Sequence, residues 1–259
     1  MYQIDAPEIS PEFFKAWQAA GIHLNSMIDG GIPSWLRAHP YPPFLEHLSF
    51  RLGNQLFFVR IVDSQGHIHG PGSMEGLLSV ASRAEGHPCL MPMTFTPGRG
   101  WSAELPGWGL RNALTSQPVD PVSLVTEKPV EMTEWEVQDC AVQVVKEQLE
   151  GDGFRVMSWQ SNPLVDPAIW FVGSSGGPEW VVVRSVRYPT FEAQPPANWR
   201  DIAAGCAVMS DVGHFASVAL ANANQDLDEA AGTPLPLLRG HAVHVAYGGL
   251  KSVAAARRS

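Results

Sequence analysis

The run Glu179–Tyr188, EWVVVRSVRY, has the composition of a strand, yet it carries Arg184 and Arg187 among its valines. Alternate side chains on a strand point to opposite faces, so Arg187 shares a face with Ser185 while Arg184 lies on the other. A guanidinium keeps its charge at any ordinary pH and offers a planar fork of donors. It suits an anion, a partner's carboxylate or an acid of its own chain, and it cannot act as a base near neutrality. Two further spacings have chemical content. GSSGG, residues 173–177, satisfies Gly-x-Ser-x-Gly around Ser175, but a nucleophile elbow needs a helix directly after the serine. The next residues are PEWVVV, a strand, so the pattern predicts a hairpin turn. His67 and His69 in GHIHGPG could present two imidazoles together. Zinc needs three or four ligands and none is spaced to join them, which leaves a solvated loop. His241 and His244 fall on opposite faces of a strand.

The elements that must position these residues are legible around them. In TEWEVQDCAVQVVKEQLEGDG, Thr133 and Glu136 form a capping box. Val137, Cys140, Ala141, Val144, Val145 and Leu149 then recur at helical spacing, and Gly151 and Gly153 end the helix. Three strand-like runs come after it: FRVMSWQ, AIWFVG and EWVVVRSVRY. Prolines and Asn198 introduce a second helix with Trp199, Ile202, Ala203 and Cys206 on one side, running to Gly213. HFASVALAN and HAVHVAYGGL read as two more strands.

The first half repeats this order. SPEFFKAWQAAG opens with Ser10 as cap and Pro11 in the first turn. LSFRLGNQLFFVRIV reads as a hairpin about Gly53–Asn54, and FFVRIV aligns with VVVRSV so that Arg60 falls on Arg184. GSMEGLLSVASRAEG supplies a helix and HPCLMPMTF a strand. Gly86–His87 corresponds to Gly213–His214, and GWGL to YGGL. The expected fold class is α+β, with two tandem related domains, each a mixed sheet with helices packed on it in the order helix, three strands, helix, one or two strands. The boundaries are a first repeat at 1–117, a proline-rich linker at 118–130, a second repeat at 131–251 and a tail at 252–259.

In the order of its elements, the stretch from Thr133 to Asn222 resembles the core of the restriction-endonuclease-like, PD-(D/E)xK superfamily. That resemblance implies an aspartate opening the second strand and an acid-x-lysine pair on the third, together gripping a divalent metal. Asp166, in VDPAIWFV, stands at the first of these places. Glu134 and Glu136 on the helix and Glu179 at the start of the third strand are the remaining catalytic candidates. The acid-x-lysine pair is absent, because Ser185, Arg187 and Arg184 occupy the third strand, so the resemblance implies a degenerate relative. The same order is also similar to class I type III secretion chaperones, an acidic, dimeric family.

With 26 acidic against 17 basic residues the formal charge is −9, which repels phosphate backbones and argues against nucleic acid as the partner. Cys89, Cys140 and Cys206 sit singly among apolar neighbours and read as free thiols in a reducing compartment. MYQIDAPEIS lacks the pattern of a signal peptide, and no apolar run approaches the length of a membrane span. AAARRS reads as a frayed tail. The expectation is a cytoplasmic protein with no membrane association, no cofactor and no metal. Its function is that of a non-catalytic interaction module, chaperone-like, immunity or adaptor, holding a protein partner. The binding candidates are Arg60, Arg184, Arg187, Trp170 and Trp180. The alternative is a metal-dependent nuclease or a degenerate nuclease-fold protein acting on nucleic acid.

Overall fold

The computed structural model describes residues 9–38, 46–227 and 233–253, and the chain divides into two compact units, residues 1–129 and 130–259. The AAARRS stretch and most of the opening decapeptide lie outside the described residues.

In the first unit, α1 (Pro11–Ser26) begins where its cap predicts. The Ser10 hydroxyl accepts from the Phe13 N–H at 3.1 Å, and Pro11 takes the first turn, where a missing donor costs nothing. Phe13, Ala16, Ala20 and Leu24 form its buried stripe. The strands β1 (Ser34–Arg37), β2 (Leu48–Leu52) and β3 (Gln55–Asp63) make an antiparallel meander. Helix α2 (Met74–Arg83) then crosses to β4 (His87–Thr96), which runs parallel to β3. The short strands β5 (Gly100–Ala103) and β6 (Leu110–Asn112) both pair antiparallel with β4, and β7 (Pro118–Val119) adds to β6. Phe50, Phe57, Val59 and Met91 of this sheet pack with the α1 stripe in one core.

Of the stretch 118–130, expected as a linker, residues 118–129 are part of this unit. They supply β7 and the single-turn α3 (Pro121–Leu124), capped by Asp120. Beyond α3 they dock on the β2–β3 hairpin. Asn54 donates to Thr126 Oγ1 at 2.9 Å and to the Lys128 carbonyl at 2.8 Å, and accepts from the Thr126 N–H at 3.1 Å. Gly53, with φ +55°, leaves room for Val125, which a Cβ would meet at 2.6 Å. Side-chain bonds of this kind have no sequence period, which is why the stretch reads as a linker.

In the second unit, α4 (Glu134–Gly151) carries the predicted capping box. The Thr133 N–H donates to Glu136 at 2.9 Å and the Glu136 N–H to Thr133 Oγ1 at 3.3 Å. Gly153, with φ +87°, comes just past its end. β8 (Arg155–Trp159), β9 (Ile169–Val172) and β10 (Pro178–Arg187) form a meander. Helix α5 (Trp199–Cys206) leads to β11 (Gly213–Asn222), parallel to β10. β12 (Val243–Tyr247) and β13 (Lys251–Val253) both pair antiparallel with β11, at its two ends. Val137, Ala141, Val145, Val181, Val183 and Val218 form the core beneath α4, and Trp180, Val182, Cys206 and Phe215 the core beneath α5. Helix α5 stops at Cys206 rather than reaching Gly213. The Ser210 N–H folds back to the Cys206 carbonyl, and Val208 beyond the helix is 95% exposed, with no core to hold a further turn.

The protein is thus α+β, in two tandem units with mixed sheets of the same connectivity. Each has a helix, a three-strand meander, a crossover helix, a parallel strand, and two short strands on that last strand. The third meander strand of the first unit is β1, too short to show a period. Registers agree as well: Phe57 lies opposite His87 and Val181 opposite His214, so superposing the two histidines superposes Arg60 on Arg184.

Candidate functional site

The second unit brings the sequence's four candidate acids into order, but not together. Asp166, in the loop before β9, receives Arg184 from β10 in a two-pronged bond, Nη1 to Oδ1 at 2.8 Å and Nη2 to Oδ2 at 2.5 Å. Glu134, 80% exposed at the start of α4, meets Arg187 Nη2 at 3.0 Å. Arg187 also donates to the Met132 carbonyl at 2.8 Å and reaches Glu131 at 3.3 Å. Glu136 is buried and holds the equally buried Arg239, whose Nε lies 2.9 Å from both its oxygens. Glu179, on the α4 face, bonds His214 Nε2 at 2.6 Å. Each acid has its own basic partner. Among the described residues no three His, Cys, Asp or Glu side chains are grouped to hold a metal.

Arg60, although equivalent in register, has a different partner. It donates to the carbonyls of Pro71 at 2.8 Å, Gly72 at 3.0 Å and Gly70 at 3.3 Å, so it pins the loop before α2. Next to it, His47 Nδ1 accepts from the Ile61 N–H at 2.9 Å. The proton is therefore on Nε2, which donates to the Pro71 carbonyl at 2.8 Å. Burial pushes the His47 pKa down to about 4; the bond to Pro71 opposes this and the Arg60 charge adds to it. His87 Nε2 in this unit meets Gln55 Oε1 at 2.9 Å, where the second unit has Glu179 and His214. The two units thus fill matching positions with an amide–imidazole pair in one and a carboxylate–imidazole pair in the other.

A buried amide completes the second sheet. β9 pairs with β10 only as far as Val181. Beyond that point Gln138 of α4 takes the place of a strand, donating to the Val183 carbonyl at 2.9 Å and accepting from the Ser185 N–H at 3.2 Å and its hydroxyl at 3.1 Å. No motif marks Gln138 in the sequence; the only signal is a polar residue within the apolar stripe of α4.

The aromatic candidates are core residues. Trp180, expected at a binding surface, is 1% exposed. Its indole N–H donates to the Ser210 carbonyl at 3.0 Å and its ring packs on Trp199, 5.2 Å between centroids. Trp170 packs half-buried against the same cluster. Phe191 takes the exposed role instead, at 60%. It stands beside a groove of about 160 Å³ with an alanine floor, Ala219, Ala221 and Ala246, and with Tyr188 and Leu227 as walls. A wider recess of about 510 Å³ continues it past Ser217 to the Glu192–Lys251 ion pair. Phe191 escapes sequence reading because it lies between elements, where no period reports exposure.

The remaining chemistry is muted. Burial pushes the Cys89 thiol up to about 12, and raises Cys140 and Cys206 to about 11 with help from nearby acids, so none is an activated nucleophile. Ser175 sits in the β9–β10 hairpin turn, closed by Gly173 N–H to Gly177 O at 2.8 Å, with a strand directly after it. His67 and His69 are exposed in the loop after β3. Among the described residues no helix is long and apolar enough to cross a membrane.

No curated protein and no solved structure matches the chain. Residues 135–253, from the first turn of α4 to the end of β13, match the family described as "Domain of unknown function (DUF8840)".

Proposed function

We propose that the protein is a non-catalytic interaction module, of the chaperone-like, immunity or adaptor kind, acting in the cytoplasm on a protein partner. The observation that carries this reading is the separate pairing of Asp166, Glu134, Glu136 and Glu179, each with a different basic side chain. Metal-dependent hydrolysis needs carboxylates that converge on one ion with open valences. A carboxylate clasped by both prongs of an arginine has committed one lone pair of each oxygen, and its charge, to that partner. The groove beside Phe191 supports a partner that inserts apolar side chains, and the net charge of −9 favours protein over nucleic acid.

Connectivity supports a second reading. Helix, meander, helix and parallel strand in the second unit is the order of the restriction-endonuclease-like core, and Asp166 lies just ahead of β9. On this reading the unit is a degenerate nuclease fold, and the shared connectivity of the two units points to copying of one ancestral unit.

The test has two arms. Purified protein, incubated with DNA or RNA and Mg²⁺ or Mn²⁺, is expected to cleave neither; cleavage abolished by Asp166→Ala would overturn the proposal. A protein captured on the wild-type chain, then purified and titrated calorimetrically, is expected to bind it and to lose at least tenfold in affinity with Phe191→Asp, about 1.4 kcal/mol.

A further inference from the structure

The outermost strands of the second sheet are β8 and β12. A strand edge that stays unpaired is normally blunted by a bulge, a charge or a proline, because its free N–H and C=O groups otherwise recruit another strand. β8 has a register shift between Val156 and Ser158 and begins at Arg155. β1, an edge of the other sheet, shifts between Trp35 and Arg37. β12 has no such feature. It pairs with β11 in unbroken register from Val243 opposite Asn222 to Tyr247 opposite Val218. From Ala242 to Gly249 there is no Asp, Glu, Lys, Arg or Pro, and Val245 is 43% exposed.

The phase of the ladder fixes which groups face outward. The Ala223 N–H donates to the Ala242 carbonyl, and the Tyr188 N–H to the Leu220 carbonyl. Leu220 therefore turns its backbone to β10 and its neighbours turn theirs to β12. Ala242, His244 and Ala246 face β11, while Val243, Val245 and Tyr247 direct their N–H and C=O groups away from the sheet. Among the described residues nothing satisfies them.

The sequence across this rim, Ala242-Val243-His244-Val245-Ala246, reads the same in both directions. An antiparallel copy centred on His244 sets Val243 against Val245 and Ala242 against Ala246. Both valines have outward backbone groups, so each Val243–Val245 pair is of the hydrogen-bonded kind, and the two-fold makes the contact self-complementary. Charge favours the same occupant: a chain at −9 repels its own copy over an acidic surface, whereas this rim carries no formal charge. We infer that β12 is a dimer seam, occupied by β12 of a second copy of this chain, so that two sheets join into one. The inference goes beyond the reading of function above and does not depend on it.

Sedimentation of the full chain over a micromolar concentration series tests the seam. The wild type is expected to sediment as a dimer. Val245→Lys should lower the mass about twofold, because it sets a charge against Val243 of the copy and diagonal to the copy's own lysine on the same face, with an unchanged circular dichroism spectrum. Leu114→Lys, on a still more exposed apolar residue of the first unit, should remain dimeric. On oxidation His244→Cys should give a disulfide-linked dimer and His241→Cys should not, because only residue 244 meets itself at the two-fold. A wild-type chain that stays monomeric, a dimer that survives Val245→Lys, or crosslinking by His241→Cys in place of His244→Cys overturns the inference. Phe191→Asp is expected to leave the dimer intact, which separates failure of the seam from failure of the partner groove.

Discussion

Arg184 grips Asp166 with both prongs of its guanidinium, at 2.8 and 2.5 Å, across 18 residues of sequence. The pair is only partly screened from water, so Arg184→Ala is expected to cost about 1–2 kcal/mol, below the range for fully buried pairs. Arg184→Lys should recover less than half of that loss, because an ammonium cannot bind both oxygens in the same plane. Urea denaturation of the three proteins measures both differences.

Gln138 is 4% exposed and bonds two backbone groups of β10. Gln138→Leu keeps the volume, strands the buried Val183 carbonyl and leaves the half-buried Ser185 N–H without its partner, and about 2–3 kcal/mol should be lost. Amide exchange at Ser185 should accelerate more than exchange at Val181, which keeps its β9 partner.

His47 gives the first unit a pH response. Its folded pKa, about 4, lies below the ordinary value, so the unfolded chain binds the proton first. Its contribution is complete above about pH 6.5 and is lost as pH falls toward 4, by up to about 3 kcal/mol. Urea midpoints between pH 7 and 4.5 should fall more steeply for the wild type than for His47→Gln, and equal slopes would exclude this assignment.

Gly213 starts β11 under the Trp180 ring, and a Cβ there would lie 2.2 Å from Cζ2. Gly213→Ala should destabilise the second unit by about 2 kcal/mol or more. Gly177→Ala, whose Cβ meets nothing closer than 3.5 Å, should be nearly neutral. Thermal melts of the two variants make the comparison.

Whether a feature could be read from the sequence depended on whether it had a period or a local cap. The stripe of α4 and its Thr133–Glu136 box announced that helix to within a residue, and the Val-Arg runs and Gly–His junctions marked β3, β4, β10 and β11 as strands, while the parallel pairing of β3 with β4 and of β10 with β11 emerged only in the structure. Strands of three or four residues such as β1 and β13 carry too few alternations to stand out. The candidate site was legible only as residue types. Composition singled out Asp166, Arg184 and the tryptophans, but which acid meets which base depends on contacts spanning up to 103 residues, as for Arg239 and Glu136. Burial of Trp180 and exposure of Phe191 stem from which face α5 covers, and α5 ends earlier than its apolar spacing suggests.

The amide of Gln138 also sets how this part of the protein comes apart. Because one side chain latches helix to strand where β9 turns away, α4 cannot lift from the sheet without uncovering the middle of β10. Detachment of the helix and fraying of the strand are then a single event, and the flank of the sheet beneath α4 stays sealed for as long as the helix remains docked.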